Sequence, residues 1–534
     1  MSAPSSRPWP LRLVIALLRL AWTLLVISAP LAGVWIASSL AALGNGPLWL
    51  VALAGALAVP LLPLAWEGLS AALRRRRMAK KKTISKLRSR GAGRVETDAR
   101  ISSLWDRLVL RTLAVNLVFV GGLLWSRPAT VYEAVSARGD WMLEGVEAPW
   151  AEALRRQLHA AAEGFEWLHE RTHENAYEDL LDEEFTAPPP PRPGAQHEPG
   201  KASGQAAESG SGQESGRAGQ GEALVEEDEP VDLETIADAV EAERWPMWPQ
   251  ASEPHPLIVD LPSAAEVSIE ALAAYVVEHE RDPFGRVKAL HDYVATRVAY
   301  DYETYKAGGP FPSQSAEHVF ATRTSVCAGY ANLLAALVTE AGGEAVVVSG
   351  YSRKLGGGLS GEGHAWNAVK IEGEWYLVDA TWDAGGASPE GDWRFEYGSD
   401  YLFAPPEIIG LTHFPDDPGW QLRTRPLERG EFLRQPMLRP RFFADGFEPI
   451  TELRSHFDVD EALSVSLANH DGQFVLAHAV SSEGAVDCSV LGRQTLEIRC
   501  ELPRRGQYEV QIFANDERYG DFHYVGSLAV NRVS

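Results

Sequence analysis

The sequence lacks the features of a nucleic-acid-binding or cofactor-binding protein. Its 49 Lys and Arg residues stand against 73 Asp and Glu residues, so the formal net charge is −24. Because neutralising phosphates requires a basic surface, we do not expect nucleic acid as a partner. Zinc-ligand spacing, a phosphate-binding glycine loop and an acidic calcium loop are also absent from the sequence, so we expect no cofactor and no metal.

Cysteine is scarce, with three residues among 534. One of them, Cys327, lies in "RTSVCAGYANLLAALVTEAGG" (323–343), which predicts a helix capped by Ser325 and ended by Gly342-Gly343. A free cysteine is most often a small buried hydrophobe. A thiol at a helix N-terminus, however, is favoured as the thiolate, which is a nucleophile. Taken alone, Cys327 is compatible with both roles.

Charged residues are missing from two long runs near the N-terminus, Leu20 to Leu43 and Leu48 to Trp66. Each comes close to the roughly 20 residues that cross a bilayer core. A third run, Thr112 to Trp125, reaches that length only with the residues from Leu108 onward. No clear signal-peptide cleavage site follows the first run, so the runs predict two or three membrane spans.

The loop between the second and third runs determines the predicted orientation. Residues 74–94 contain eleven basic residues and no acidic one, which predicts a cytoplasmic loop and a cytoplasmic N-terminus. If the third run spans, the rest of the chain lies outside the cytoplasm; if it does not, that part stays inside. We expect an integral membrane protein whose C-terminal part is extracytoplasmic.

The length of the chain is too great for one hydrophobic core and predicts a multi-domain protein. Apolar spacing from Asp140 to about Asp182 predicts a helix, and a following stretch with almost no large apolar residue predicts disorder. Five short alternating runs near the C-terminus predict an all-β sandwich. The predicted parts are a membrane region with transmembrane helices and a basic loop (1–128), a helical stalk (129–185), a disordered tether (186–230), an α+β domain (231–435) and a β-sandwich domain (436–534).

Two strand-like runs follow the Cys327 helix, "HAWNAVKIEG" (364–373) and "EWYLVDATWD" (374–383), and the Glu-Gly between them predicts a hairpin. His364 and Asp379 lie about equally far from that turn, so we expect them side by side on one face. A carboxylate that orients an imidazole, whose other nitrogen meets a thiol, activates that thiol as a nucleophile. Cys327, His364 and Asp379 are the predicted catalytic residues, with Asp383 as the alternative carboxylate.

The segments "TSVCAGYANLL" and "GHAWNAVKIEGEWYLVDATWD" resemble the transglutaminase-like superfamily of papain-related Cys-His-Asp proteins. The segment "YLFAPPEIIGLTHFPDDPGWQL" (401–422) is similar to one in the kyphoscoliosis peptidase group, where a β-rich domain follows the catalytic one. The resemblance covers roughly residues 260–530. It implies a papain-like, transglutaminase-like catalytic domain in which Cys327 is the nucleophile, His364 the general base and Asp379 its orienting partner.

The resemblance implies acyl transfer on amide bonds of a protein or envelope peptide through a thioester, released to water or to an amine. It also leaves open a catalytically silent scaffold that binds a protein partner. The Cys327 amide is the predicted oxyanion donor, and Gln314 is a candidate side-chain donor. Cys488 and Cys500 are predicted to pair as a disulfide outside the cytoplasm, or to stay buried thiols inside it.

Overall fold

The computed structural model describes residues 9–44, 61–88, 103–143, 148–166, 177–190, 247–353, 361–387 and 392–533, with a few isolated positions besides. Most of the second apolar run, Leu48 to Trp66, lies outside these residues. So does the predicted tether, apart from residues 186–190.

The helices of the described residues are α1 (Trp9–Leu43), α2 (Leu62–Arg88), α3 (Leu104–Ser126), α4 (Pro128–Arg138), α5 (Pro149–Glu163), α6 (Pro256–Val259), α7 (Ile269–His279), α8 (Pro283–Arg297), α9 (Tyr302–Ala307), α10 (Ala316–Thr322), α11 (Cys327–Glu340), α12 (Pro406–Ile409), α13 (Arg429–Arg434) and α14 (Pro440–Ala444). Short 3-10 turns occupy Trp141–Leu143, Glu178–Leu180, Glu183–Phe185, Trp382–Ala384 and Pro418–Gln421.

The strands are β1 (Ala299–Tyr300), β2 (Thr324–Ser325), β3 (Glu344–Ser352), β4 (Glu362–Ile371), β5 (Glu374–Val378), β6 (Gly385–Ala387), β7 (Trp393–Phe395), β8 (Leu402–Ala404), β9 (His413–Pro415), β10 (Met437–Leu438), β11 (Phe447–Pro449), β12 (His456–Val459), β13 (Ala462–Asn469), β14 (Phe474–Ser481), β15 (Gly484–Asp487), β16 (Ser489–Gly492), β17 (Thr495–Glu501), β18 (Gly506–Asn515) and β19 (His523–Arg532).

Two helices of the described residues are long and apolar enough to cross a membrane, Leu17–Leu43 with 27 residues and Leu104–Ser126 with 23. They contain the first and third predicted runs. The basic stretch is not a loop in its described part, because α2 continues as a helix through it to Arg88. Arginine and lysine favour helix, which accounts for this difference from the prediction.

The predicted stalk is not one helix. A turn at Trp141–Leu143 precedes α5, which begins at Pro149. Proline lacks the N–H that continues a helix but is well placed at its first position, so a new helix starts there.

The described part of the stalk packs against other parts of the chain. Trp35 of α1 donates from Nε1 to the carbonyl of Gly139 at 2.8 Å. Arg138 pairs with Asp458 at 2.6 Å, which joins the end of α4 to the C-terminal region.

The residues on both sides of the predicted tether lie in the same hydrophobic core. Tyr177 and Phe185 precede it and Ile258 follows it, and all three are buried with α11. Asn332 of α11 also donates from Nδ2 to the Leu180 carbonyl at 3.1 Å. The boundaries predicted at 186 and 230 therefore do not coincide with a break in the packing.

A five-stranded sheet in the order β8-β5-β4-β3-β9 carries the centre of the molecule, and its neighbouring strands are antiparallel. Alternation along β4 places Ala365 and Val369 in the core under α11, and Trp366 and Ala368 in a second core shared with the C-terminal region. The sheet is therefore buried on both faces.

The C-terminal region is β-rich, as predicted. The five predicted runs correspond to β13, β14, β17, β18 and β19. They belong to two sheets, one containing β10-β19-β18-β14-β15 with β12 beside β19, the other β11-β13-β17-β16. Cys488 and Cys500 form a disulfide in this region.

Candidate active site

Cys327 is the first residue of α11 and is only 1 % exposed. The helix starts one residue later than predicted, because Ser325, the predicted N-cap, is in β2, where it pairs with Tyr300 of β1. Val326 is the N-cap and supplies no side-chain cap. The backbone pairing of β2 thus determines where the nucleophile helix begins.

Gly329 allows the first turn of α11 to lie close to its surroundings. A Cβ atom at this position would lie 2.6 Å from Ser325 Cβ and 2.7 Å from Val319 Cγ2. Only glycine fits without a shift of these neighbours. This close packing holds the Cys327 end of the helix against α10 and β2.

Gln314 is buried beside the start of α11. Its Oε1 accepts a hydrogen bond from the Val326 amide at 3.0 Å, and its Nε2 donates to the Pro312 carbonyl at 2.9 Å. Both ends of the side chain therefore have partners, and they hold the chain that leads into Cys327. The oxyanion role of Gln314 stays a prediction.

His364 joins the thiol to the carboxylate. Its Nε2 lies 2.7 Å from Oδ2 of Asp379, and its ring is also hydrogen-bonded to Cys327. Because Asp379 occupies Nε2, Nδ1 is the nitrogen left for the sulfur. The structure thus brings the three predicted residues together in the order thiol, imidazole, carboxylate.

The proximity of His364 and Asp379 does not come from direct pairing across the hairpin. In the β4–β5 register, Asn367 is opposite Val378, and β5 ends there. Asp379 follows the strand, and its amide donates to the Tyr401 carbonyl at 3.2 Å. The carboxylate therefore reaches His364 diagonally from just beyond the strand end.

The electrostatics of this pair favour a charged imidazole. Burial alone would lower the pKa of His364, but the charge of Asp379 and the hydrogen bonds to Asp379 and Cys327 raise it to about 10. Burial alone would raise the pKa of Asp379, but the His364 charge and hydrogen bonds from His364 and His413 hold it well below its usual range.

The carboxylate of Asp379 is held at both oxygens. Oδ1 accepts from the amides of Thr381 and Trp382 at 2.9 and 3.2 Å, which leaves Oδ2 for the imidazole. The D-A-T-W sequence after β5 folds back to supply these amides. A thiol, an imidazole and a fixed carboxylate together can generate a nucleophile and move a proton.

Comparison with known proteins identifies the family of this site. The family model of the transglutaminase-like superfamily matches residues 270–380, which include all three residues. The chain carries a transglutaminase-like domain.

Relatives agree with this assignment. The kyphoscoliosis peptidase of Mus musculus is 26 % identical over 272 residues, covering 48 % of this chain and 40 % of that protein. The Homo sapiens kyphoscoliosis peptidase is 24 % identical over 259 residues, covering 47 % of this chain and 39 % of its own. The match thus spans about two fifths of the length of these relatives.

A solved structure of a candidate cysteine protease from Cytophaga hutchinsonii is 26 % identical, with a TM-score of 0.19 over 26 % of this chain and 44 % of that one. With so low a TM-score, the family assignment depends on the sequence comparisons.

A fourth residue lies at the site, beyond the residues that the family model matches, and the sequence analysis missed it. His413 of β9 is buried, and its Nε2 lies 3.0 Å from the same Oδ2 of Asp379. It reaches the site because β9 pairs with β3 at the sheet edge. His413 lies within the segment 401–422, whose resemblance to the kyphoscoliosis peptidase group was the one signal that pointed to it.

We call Cys327, His364, Asp379 and His413 the thiol cluster. Ligand atoms of its two histidines and Asp379 lie within 4.8 Å of one another, close enough to hold a metal ion. The two imidazole–carboxylate hydrogen bonds already account for the arrangement. We therefore assign no metal ion to it.

Asp383, the alternative carboxylate, lies in a different cluster. Its Oδ2 is 3.1 Å from Nε2 of His291, and both its oxygens accept from the Tyr401 amide. Nδ1 of His291 is 2.9 Å from Asp292 Oδ1. The structure thus pairs Asp379, not Asp383, with His364.

We call Lys288, His291, Asp292 and Asp383 the lysine cluster. Lys288 Nζ lies 3.0 Å from Asp292 Oδ2, and Tyr397 donates to Asp292 Oδ1 at 2.7 Å. Burial would lower the pKa of His291, but its hydrogen bonds to both carboxylates and their charges raise it to about 9. Burial raises the pKa of Asp383 to about 6 despite His291.

Three aromatic side chains, Tyr177, Tyr300 and Trp393, lie on the Cys327 side of the core, and we call them the aromatic cover. Burial raises the pKa of both Tyr177 and Tyr300, and the negative charge of Cys327 adds to it, so both hydroxyls lie near the sulfur. Their side chains are hydrogen-bonded to each other. Trp393 of β7 stacks on Tyr300 with ring centroids 4.4 Å apart. The cover includes Tyr177, which lies outside the domain bounds predicted from sequence.

Proposed function

We propose that this protein is a membrane-anchored cysteine acyl-transfer enzyme that acts on amide bonds of a protein or envelope peptide. The observation that carries the proposal is the hydrogen-bonded series Cys327–His364–Asp379 at the head of a buried helix. The relation to the transglutaminase-like superfamily and to kyphoscoliosis peptidases supports it.

In the proposed reaction, the Cys327 thiolate attacks the carbonyl carbon of an amide. The oxyanion of the tetrahedral intermediate forms beside the Cys327 backbone amide at the N-terminus of α11. His364 gives its Nδ1 proton to the leaving amine, and a thioester remains on Cys327. His364 then takes a proton from water or from an acceptor amine, which attacks the thioester and restores the thiol–imidazole pair.

Asp379 holds the imidazole through this cycle. Its Oδ1 is fixed by two backbone amides, so Oδ2 stays in place whether His364 is neutral or charged. The negative charge stabilises the imidazolium that exists before the attack and during deacylation.

If water accepts the acyl group, the enzyme is a protease or amidase. If an amine accepts it, the enzyme is a transglutaminase. The aromatic cover over Cys327 restricts how water and amines reach the thioester. We expect substrate binding to displace part of this cover, because Cys327 is buried while the cover is in place. Supplying a primary amine during turnover and measuring amide product against free acid assigns the acceptor.

The membrane anchor is proposed from α1 and α3 together with the apolar run Leu48 to Trp66. The positive residues of 74–94 favour a cytoplasmic location for this stretch, which would put the catalytic domain outside the cytoplasm. The disulfide between Cys488 and Cys500 supports this side, because disulfides persist in oxidising compartments. Protease digestion of spheroplasts tests it: the region 245–533 is expected to be cleaved without lysis, and protection until lysis would place it in the cytoplasm.

The predicted layout of separate catalytic and β-sandwich domains is also a proposal. Residues from both C-terminal sheets, Val465 of β13 and Val510 of β18 among them, lie in one core, which supports a sandwich. That core also contains Trp366 of the central sheet, so we expect the two domains to unfold together.

An acyl-donor probe tests the proposed activity directly. Cys327 is the free cysteine of the chain, since the other two form the disulfide. Labelling of the full chain is therefore expected at Cys327 and is expected to vanish in Cys327→Ser. Labelling that persists in this variant would assign the reaction elsewhere.

The alternative is a catalytically silent scaffold, and the burial of Cys327 beneath Tyr177 favours it. An acyl donor separates the two functions, with a small alkylating reagent as the control for access to the sulfur. A scaffold would react with iodoacetamide at Cys327 but form no acyl adduct with any peptide or amide ester. An enzyme forms both.

A further inference from the structure

The thiol cluster contains two imidazoles on one carboxylate oxygen. His364 and His413 lie 2.7 and 3.0 Å from Oδ2 of Asp379, and all three residues are 5 % exposed or less. Because both imidazoles share one carboxylate oxygen, each hydrogen bond reduces the negative charge that Asp379 presents to the other imidazole.

His413 is a neutral donor to Asp379. Burial lowers the pKa of His413, and the charge of His364 lowers it further against the pull of Asp379. A neutral imidazole has one N–H, and only an N–H at Nε2 satisfies the carboxylate. Nδ1 then needs a donor, and the Thr412 hydroxyl lies 2.9 Å away.

Thr412 thereby selects the tautomer of His413. Its Oγ1 is also 3.2 Å from the Ile409 carbonyl, which lies within hydrogen-bonding reach of the His413 ring as well and is the alternative acceptor for the hydroxyl hydrogen. Donation to Nδ1 of His413 leaves the imidazole proton on Nε2, facing Asp379. The tautomer of a functional histidine is commonly fixed by the hydrogen bond that another residue makes to its second ring nitrogen.

The position of His413 in the sheet accounts for its reach. β9 pairs with β3, and β3 pairs with β4, which carries His364. The ring of His413 packs against Trp366 and Trp382, with centroid separations of 5.1 and 4.8 Å. These contacts hold the imidazole on one side of Oδ2 while His364 occupies the other.

From this geometry we propose that His413 is a positioning residue that limits how tightly Asp379 holds the proton on His364. By donating to the same oxygen, His413 takes up part of the carboxylate's hydrogen-bonding capacity. The acyl-transfer cycle requires His364 to hold a proton before attack and to release it to the leaving amine. A carboxylate without the second donor would retain that proton more strongly. The role of His413 in catalysis rests on the proposed acyl-transfer function, whereas its effect on the His364 proton can be measured without that function.

The measurement is the rate of alkylation of Cys327 in the full-length protein by iodoacetate and by iodoacetamide. The anionic reagent is favoured while His364 is positive, so the ratio of the two rates falls as His364 loses its proton. Brief pH-jump pulses from neutral buffer keep the exposure to alkali shorter than unfolding. The titratable groups facing Asp379 are His364 from β4, His413 from β9 and Tyr401 next to β8.

Two variants of His413 separate its N–H from its shape. His413→Phe keeps an aromatic ring without a donor, and His413→Gln keeps an N–H near the Nε2 position without the ring. Loss of one hydrogen bond from a carboxylate is expected to shift the midpoint of the ratio upward by about 0.5 to 1 pH unit in His413→Phe. His413→Gln is expected to stay close to wild type.

Thr412→Val tests the same inference without touching either imidazole. It removes the hydroxyl that serves Nδ1, so the proton of His413 is free to leave Nε2. The midpoint is expected to rise in this variant as well. If His413→Phe does not fold, the midpoint of Thr412→Val tests the proposal in its place.

An unchanged midpoint in a folded His413→Phe, or in Thr412→Val where His413→Phe does not fold, overturns the proposal. An equal rise in His413→Phe and His413→Gln also overturns it, because the ring and not the N–H would then be responsible. If the ratio of the iodoacetate and iodoacetamide rates shows no pH step in the wild-type protein, both this inference and the proposed function are overturned. A wild-type step without acyl labelling overturns the proposed function alone.

Discussion

The thiol cluster and the lysine cluster both contain buried histidine and aspartate, yet they differ in what they can do. Each has a buried histidine between partners, and their aspartates, Asp379 and Asp383, are four residues apart on one turn. The first histidine meets a thiol and a single carboxylate. The second lies between two carboxylates, one of which also pairs with Lys288.

The difference lies in which partner can change its charge. In the thiol cluster His364 is hydrogen-bonded to Cys327, so a proton can pass between the two side chains. In the lysine cluster His291 lies between Asp292 and Asp383, and Lys288 pairs with Asp292. Under the proposed function, the thiol cluster is the reactive site and the lysine cluster a structural one.

The largest effect is expected from Asp379→Asn. The amide cannot stabilise the charged imidazole, so acyl transfer is expected to fall by about 10³- to 10⁴-fold, as in other triads, while the fold is kept. Steady-state turnover with an amide ester measures it. Asp383→Asn is the matched control and should stay within about tenfold of wild type per folded molecule. The reverse order of the two variants would exchange the roles of the clusters.

Asp292→Asn is expected to have the largest effect on stability. It leaves Lys288 without its buried carboxylate and should lower the free energy of unfolding by about 3 to 5 kcal/mol. Urea denaturation measures it, with Lys288→Met/Asp292→Leu as the paired control that removes both charges and should recover part of the loss. Iodoacetamide labelling of the folded fraction at Cys327 should be unchanged. A matching loss of labelling would mean that the clusters are coupled.

The lysine cluster also predicts a decline of stability in alkali. The folded-state pKa of His291 is raised to about 9, above its unfolded value near 6.5. Its contribution is therefore fully present below pH 6.5 and is lost as the pH rises through 9. Urea midpoints between pH 6 and 10 measure it. The decline should persist in Asp379→Asn, which alters only the thiol cluster; its disappearance there would assign it to His364.

The smallest effect is expected at the aromatic cover of the thiol cluster. Tyr177→Ala removes a hydrogen bond to Tyr300 and should speed iodoacetamide labelling of Cys327 at neutral pH about fivefold, if that bond is worth about 1 kcal/mol. Tyr519→Ala, at a tyrosine that is 79 % exposed, is the control. An unchanged rate in Tyr177→Ala would show that the reagent reaches the sulfur by another path.

Much of the site could be predicted from local sequence. Cys327 before an apolar helix, the Glu-Gly turn, and His364 and Asp379 on either side of it are signals that lie within 60 residues. The five alternating runs near the C-terminus likewise became strands, because alternation reports a half-buried strand wherever it occurs. The register of the hairpin escaped prediction, since Asp379 lies beyond the end of β5.

What the sequence by itself determined is the set of local elements and the chemistry of the thiol, imidazole and carboxylate. The tertiary structure alone decided that Asp379 rather than Asp383 contacts His364. It also decided that His413 shares the Asp379 oxygen and that Tyr177 lies near Cys327. Each of these depends on strands or segments distant in the chain, such as β9 against β3 or Tyr177 against Tyr300. Periodicity and capping act over a few residues, whereas these contacts form only when the whole core closes around them.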